Sequence, residues 1–283
     1  MALNLAASRS GTFLALLLVS VAFSNAAHGQ IPDKTVIVIR DYRVLSRDDF
    51  SKLAQSANPD ATSEEIAQQY ARHLATVRQV QREQYSVARR AMLEHGTNRV
   101  FVEAVPEERL ETFVDEVKAW AEKASEVDKL RTQAVELRDE LNERRQSGDT
   151  AGDYESKLRE LQELQGQVVE FGMQELRLGV VARLMASELL DLEIGALDTN
   201  ESLQLAVSST QQADDGGAIE DSDKLAENRA AREKLLAKKV ADWLKDHDTA
   251  ILILGGETDL RNEFQELELQ VQYGVATVPS FPD

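Results

Sequence analysis

Four carboxylates and one guanidinium stand where this sequence could do chemistry. Glu103 closes the short run Arg99 to Val102 (RVFV), and Asp198 closes Leu192 to Leu197 (LEIGAL). Glu257 and Asp259 follow the run Ala250 to Leu254, inside Gly255-Gly256-Glu257-Thr258-Asp259. In an α/β protein, ligands bind at the carboxyl ends of the parallel strands. Carboxylates gathered there can hold a divalent cation or work as an acid/base pair. A carboxylate that ends an apolar strand needs a partner, and Arg232 is a candidate for Glu103. Asp259 has a second reading, because Asp at a helix start also caps the helix and offsets its dipole. The Gly255-Gly256 pair lets backbone approach a ligand closely. It is not a nucleotide motif, since it lacks G-x-G-x-x-G and no Lys follows it.

Histidine is scarce, with four in the chain. His28 lies in an apparent leader, and His73, His95 and His247 lie on helices or helix ends with no ligand spacing between them. A zinc site needs three or four convergent ligands, so none is expected. There is no Cys, hence no thiol nucleophile, and no G-x-S-x-G. The acidic stretch holding Asp214, Asp215, Glu220, Asp221 and Asp223 lacks the EF-hand pattern and reads as solvated. No cofactor is expected, and a divalent cation on the strand-end carboxylates is the one metal reading left open.

The elements that must position these groups are legible from periodicity. Lys34 to Ile39 (KTVIVI) is a β-branched run that predicts a buried strand, ending at Arg40-Asp41-Tyr42. The segment Arg40 to Ser63 is polar and carries no predicted element. Thr62-Ser63-Glu64-Glu65 is a helix start, and the helix is expected over about Glu64 to Glu94, stopping at His95-Gly96. After the Arg99 strand, Pro106 opens another helix. Leu110, Phe113, Val117, Trp120, Ala124, Val127, Leu130, Ala134, Leu137 and Leu141 then form a heptad seam. Gln146 to Asp153 breaks it, and Tyr154, Leu158, Leu161, Gln165 and Val168 begin a second amphipathic run. Together they predict an antiparallel helical hairpin with a charged tip and an apolar base. A helix is expected at Thr199 to Val207, another at about Leu225 to Lys245, a short one from about Leu260, and a last strand at Val271 to Val278. Strands alternating with helices predict an α/β fold: a central, mostly parallel sheet with crossover helices, carrying a long coiled-coil-like insertion. The implied organisation is 1–29 as signal peptide, 30–106 and 188–283 as two parts of one α/β domain, and 107–187 as the hairpin.

Three of these segments carry a resemblance. Gln81 and Glu83 lead through Gly96 into Val100-Phe101-Val102-Glu103-Ala104-Val105; Glu227 to Glu233 reads ENRAARE; Ile251 to Leu260 is a strand followed by GGETDL. In this order they resemble the superfamily that groups ChaN-like haem-binding proteins, TraB/Tiki-type metalloproteases and erythromycin-esterase-like proteins, with VFVEGL, N-x-x-R-E and GGAHDL segments. The resemblance implies that Glu103, Arg232 and Asp259 are the retained site residues, with Asp198, Gly255, Gly256, Glu257 and Thr258 around them. It also implies a loss. The family's first strand ends in a Gly-Glu-x-His type motif, whereas here it ends Ile39-Arg40-Asp41-Tyr42. Thr258 stands at the second histidine position. A Thr hydroxyl cannot replace imidazole as base or ligand.

Phe13 to Phe23 (FLALLLVSVAF) is an apolar core of signal-peptide length, too short to span a bilayer. Ala27-His28-Gly29 offers a cleavage site before Gln30, and Ser24-Asn25-Ala26 a second. Export to the periplasm or the extracellular space is the expectation, with no membrane attachment after cleavage. Removing residues 1–29 takes away Arg9 and no acidic residue, so the mature chain is still more acidic than the net −18 of the whole. That disfavours nucleic acid and anionic membrane surfaces as partners. Three functions remain: a non-catalytic binding member of the superfamily, with a protein or small ligand in the cell envelope; a carboxylate hydrolase built on Glu103, Glu257 and Asp259; or an adaptor that pairs, with itself or a partner, through the hairpin.

Overall fold

The computed structural model describes residues 21–23, 33–187, 191–206, 222–255 and 258–282. Gly256, Glu257, the acidic stretch up to Asp221, and most of the leader lie outside these residues. The elements in chain order are β1 (Val21–Phe23), β2 (Lys34–Asp41), α1 (Arg47–Ala57), α2 (Ser63–His95), β3 (Arg99–Pro106), α3 (Glu107–Ser147), α4 (Tyr154–Leu178) and α5 (Val180–Ala186). They continue with β4 (Glu193–Asp198), α6 (200–206), α7 (Ser222–Leu244), β5 (Thr249–Gly255), α8 (Arg261–Glu266) and β6 (Val271–Ala276).

Five strands pair in parallel in the order β6-β2-β5-β3-β4, and the short β1 runs antiparallel along the outer edge of β6. Alternate side chains along each strand enter opposite faces. Ile37, Ile39, Val100, Val102, Ile251 and Ile253 pack under α2, α3 and α5. Val36, Val38, Phe101, Leu252 and Leu254 pack under α7 and α8. Both faces are covered, which is why Val36 to Ile39 and Ala250 to Leu254 are apolar at every position rather than at alternate ones. The sheet is therefore the middle of three layers. Its central strands β2, β5 and β3 deliver Asp41, Gly255 and Glu103 to one edge, with Asp198 on the neighbouring β4.

Between β3 and β4 the chain makes the long excursion α3-α4-α5. The seam of α3 faces α4: Val117, Trp120, Val127 and Leu141 on one arm and Leu161 and Leu176 on the other are buried. On α4 the seam takes Leu164, half-buried, while the predicted Gln165 is exposed. Gly148, at φ 73°, ends α3 in the left-handed conformation that favours glycine. Arg144 crosses the turn to Asp153 at 2.8 Å. Trp120, Leu178, Val180, Val181 and Leu184 anchor the base of the hairpin in the core under the sheet.

The polar segment Arg40 to Ser63 holds α1, which the periodicity did not predict. Ser46 caps it through the Asp49 N–H, and none of its residues is buried. The following helix starts with a reciprocal capping box, Thr62 with Glu65.

Candidate functional site

Glu103, Asp198 and Arg232 meet at the carboxyl edge of the sheet. Arg232 projects from α7 and reaches both strand ends. One terminal nitrogen lies 2.6 Å from Glu103 Oε1. Its Nε donates to Asp198 Oδ1 at 3.1 Å, and its other terminal nitrogen to Asp198 Oδ1 and Oδ2 at 3.0 and 2.9 Å. This forked geometry is the arrangement in which arginine binds carboxylate most strongly.

Every remaining carboxylate oxygen is also occupied. Thr258 Oγ1 donates to Glu103 Oε1 at 2.8 Å, and the Gly255 N–H donates to Glu103 Oε2. Ser202 Oγ donates to Asp198 Oδ1 at 2.7 Å, and the Ala104 N–H to Asp198 Oδ2 at 2.6 Å. Asp198 is fully buried and Glu103 nearly so. Burial by itself would pull the Arg232 guanidinium below its ordinary pKa. Its hydrogen bond to Asp198 and the charges of Glu103 and Asp198 outweigh that and hold it above.

The first glycine of the pair, Gly255, packs here. A Cβ on Gly255 would sit 3.1 Å from Glu103 Oε2, so any other residue here would crowd the carboxylate and push it aside. The close approach serves an internal side chain. On β3, the register shifts between Val102 and Pro106, and Ala104 takes φ 65°. That left-handed turn aims the Ala104 N–H at Asp198. A non-glycine residue held there marks a stretch where packing overrides backbone preference.

Asp259 does not join the cluster. Its Oδ1 accepts the Arg261 N–H at 3.1 Å in a local turn just before α8, whose N-cap is Leu260 and carries no side-chain cap. Arg40 donates to the Thr258 and Gly255 carbonyls, fixing the strap that carries Thr258. Beside the cluster, Arg43 donates to Asp41 Oδ2 and to the Glu103 carbonyl, each at 3.1 Å. Burial pushes the Asp41 carboxyl above the usual range, Arg43 offsets part of this, and the charge on Glu103 adds to it. The histidines stand elsewhere: His73 packs against Tyr42, Phe50 and Tyr70, and His247 stacks on Trp243. Among the described residues no three His, Asp or Glu side chains gather closely enough to hold a metal.

A cleft opens next to this network, on the α3 side of the sheet. Its volume is about 360 Å³, and it is lined by the ends of β2 and β3, the first turns of α3 and the α4–α5 junction. Gly179 makes that junction with φ 71° and ψ −155°, a conformation reserved for glycine. Arg43, Arg109, Arg177 and Gln81 line the cleft, and periodicity gave no reason to single out the first three. They come together only because the hairpin returns to the sheet. No family model, curated protein or solved structure matches the chain.

Proposed function

We propose that the protein is exported and acts by binding, as a non-catalytic member of the superfamily that groups ChaN-like, TraB/Tiki-type and erythromycin-esterase-like proteins. The observation that carries this is the internal engagement of both Glu103 carboxylate oxygens. A general base must offer a lone pair to the substrate's proton. Here Arg232 and Thr258 both bind Oε1 and the Gly255 N–H binds Oε2, so three of the roughly four lone-pair sites are engaged inside the protein. The histidine position of the resemblance is filled by Thr258, which spends its hydroxyl on that same carboxylate. The network thus behaves as a polar clasp joining β3, β4, β5 and α7, and the neighbouring cleft is left as the surface for a ligand. This reading needs no cofactor.

The test is a turnover screen of the purified protein against ester, amide and phosphoester substrates, with and without added Mg²⁺, Mn²⁺ or Zn²⁺. Wild type and Glu103→Gln are expected to give the same background. Turnover abolished by Glu103→Gln, or stoichiometric zinc retained through purification, would overturn the reading. Mass spectrometry of secreted material is expected to find Gln30 at the amino terminus; secreted protein that retains residues 1–29 would refute the cleavage.

A further inference from the structure

We infer that the cleft beside β3 binds a small monocarboxylate that has an apolar body and a hydrogen-bond donor. The inference rests on the binding reading above and names its ligand class. At about 360 Å³ the cleft falls within the roughly 300–1,000 Å³ typical of small-molecule sites. Val102, Val105, Phe113, Leu178, Val180 and Ile253 give it apolar walls.

The first polar determinant is Gln81 on α2. It is only 1% exposed and lines the cleft. Its Nε2 donates to the Leu176 carbonyl at 3.0 Å, which fixes the amide. Its Oε1 has no hydrogen-bond partner. An orphaned buried acceptor costs about 1–3 kcal/mol, and an O–H or N–H on a bound molecule would satisfy it.

The second determinant is a pair of spare cations. Arg109, in the first turn of α3, and Arg177, in the last turn of α4, both line the cleft. In a chain with 50 acidic residues, neither has an ion pair or hydrogen bond among the described residues. Arg43 is already engaged by Asp41 and the Glu103 carbonyl, which leaves Arg109 and Arg177 for a ligand. Guanidinium matches carboxylate in a bidentate fork. The carboxylates of Asp41 and Glu116 on the same rim disfavour a dianion such as a phosphate monoester.

Titration calorimetry on the full chain tests this, with phenylacetate as a hydroxyl-free reference and three main probes: 4-hydroxyphenylacetate, phenyl phosphate and the neutral 4-hydroxyphenethyl alcohol. The carboxylate is expected to bind at least about tenfold tighter than either of the others, the scale of one charge-assisted hydrogen bond. The exposed double variant R109Q/R177Q should lose at least about tenfold for the carboxylate and little for the alcohol. Gln81→Leu should erase the preference for 4-hydroxyphenylacetate over phenylacetate. Equal binding of carboxylate and alcohol, unchanged affinity in R109Q/R177Q, or no binding of any probe up to about 10 mM would overturn the inference. Those outcomes leave the turnover screen untouched, because Glu103 is altered in neither variant, so the two readings can fail separately.

Discussion

Replacing Arg232 by methionine isolates the clasp. Methionine keeps the stem's packing but removes the charge and four contacts: one to Glu103 at 2.6 Å and three to Asp198 at 2.9 to 3.1 Å. Two buried carboxylates would lose their shared counter-charge, and breaking such a pair costs about 3–5 kcal/mol. The donors that remain, Thr258 and Gly255 on Glu103, and Ser202 and Ala104 on Asp198, argue for the lower half of that range. At about 2–4 °C per kcal/mol for a chain of this class, the melting temperature should fall by about 6–15 °C. A double-mutant cycle with Asp198→Asn separates a clasp from ordinary loss of contacts. Asn removes the stranded charge, so R232M/D198N should be at least about 1 kcal/mol more stable than the two single losses would sum to. Urea melts of all four proteins, each followed by circular dichroism, give the cycle. A melting temperature for Arg232→Met within about 2 °C of wild type, or strict additivity in the cycle, would refute the argument.

Other perturbations read other parts of the same edge. Asp41 binds its proton more tightly in the folded state because burial outweighs Arg43. Its contribution is therefore whole below the unfolded carboxylate pKa and is lost as pH rises through the elevated folded value. Asp41→Asn should remove that loss, and its stability relative to wild type in urea melts should grow from acid toward neutral pH. Glu83 has the opposite sign. Burial raises its pKa, but the hydrogen bonds from Ser280 and Gln79 prevail and depress it, so its contribution is present at neutral pH and lost as pH falls through the folded value. Glu83→Ala should destabilise at pH 7, and by less in acid. Gly179→Ala meets no atom within 4 Å, so its penalty is purely conformational, about 1–3 kcal/mol. A thermal melt unchanged by that substitution would contradict the φ and ψ given to the α4–α5 junction.

The fold was legible wherever burial leaves a periodic imprint. Strands covered on both faces read as unbroken β-branched runs, and α3 reads as heptads because α4 covers one side of it. Helix α1 left no such imprint, since none of its residues is buried; only Ser46 three residues before Asp49 marked its start. Glu103 and Arg232 were legible as a pair because an acid that ends an apolar strand must find a cation. Gln81 was legible only through a resemblance, for in a long helix a glutamine looks like a surface residue until another segment is laid over it. The cleft was not legible at all. Its cations lie on the two arms of one hairpin, one in the first turn of α3 and the other in the last turn of α4, and nothing local in either segment reports that the two ends return to the same strand.

Clasp and cleft share one strand end but divide it. Glu103 sends its carboxylate toward α7 and its carbonyl to Arg43 on the cleft side. The clasp is built from sheet residues, α6, α7 and the segment after β5, whereas Arg109 and Arg177 ride on the hairpin. Chemistry in the cleft can therefore vary without touching the groups that hold β3, β4 and β5 together. Arg232 serves both acids with one positive charge, and deleting either would leave some of its buried N–H donors without an acceptor, so stability alone favours keeping both. Ligand binding should then respond to R109Q/R177Q and stability to Arg232→Met, with the two effects additive in the combined variant. Coupling above about 1 kcal/mol between them would mean that the cleft and the clasp are one site, and that the carboxylates take part in binding.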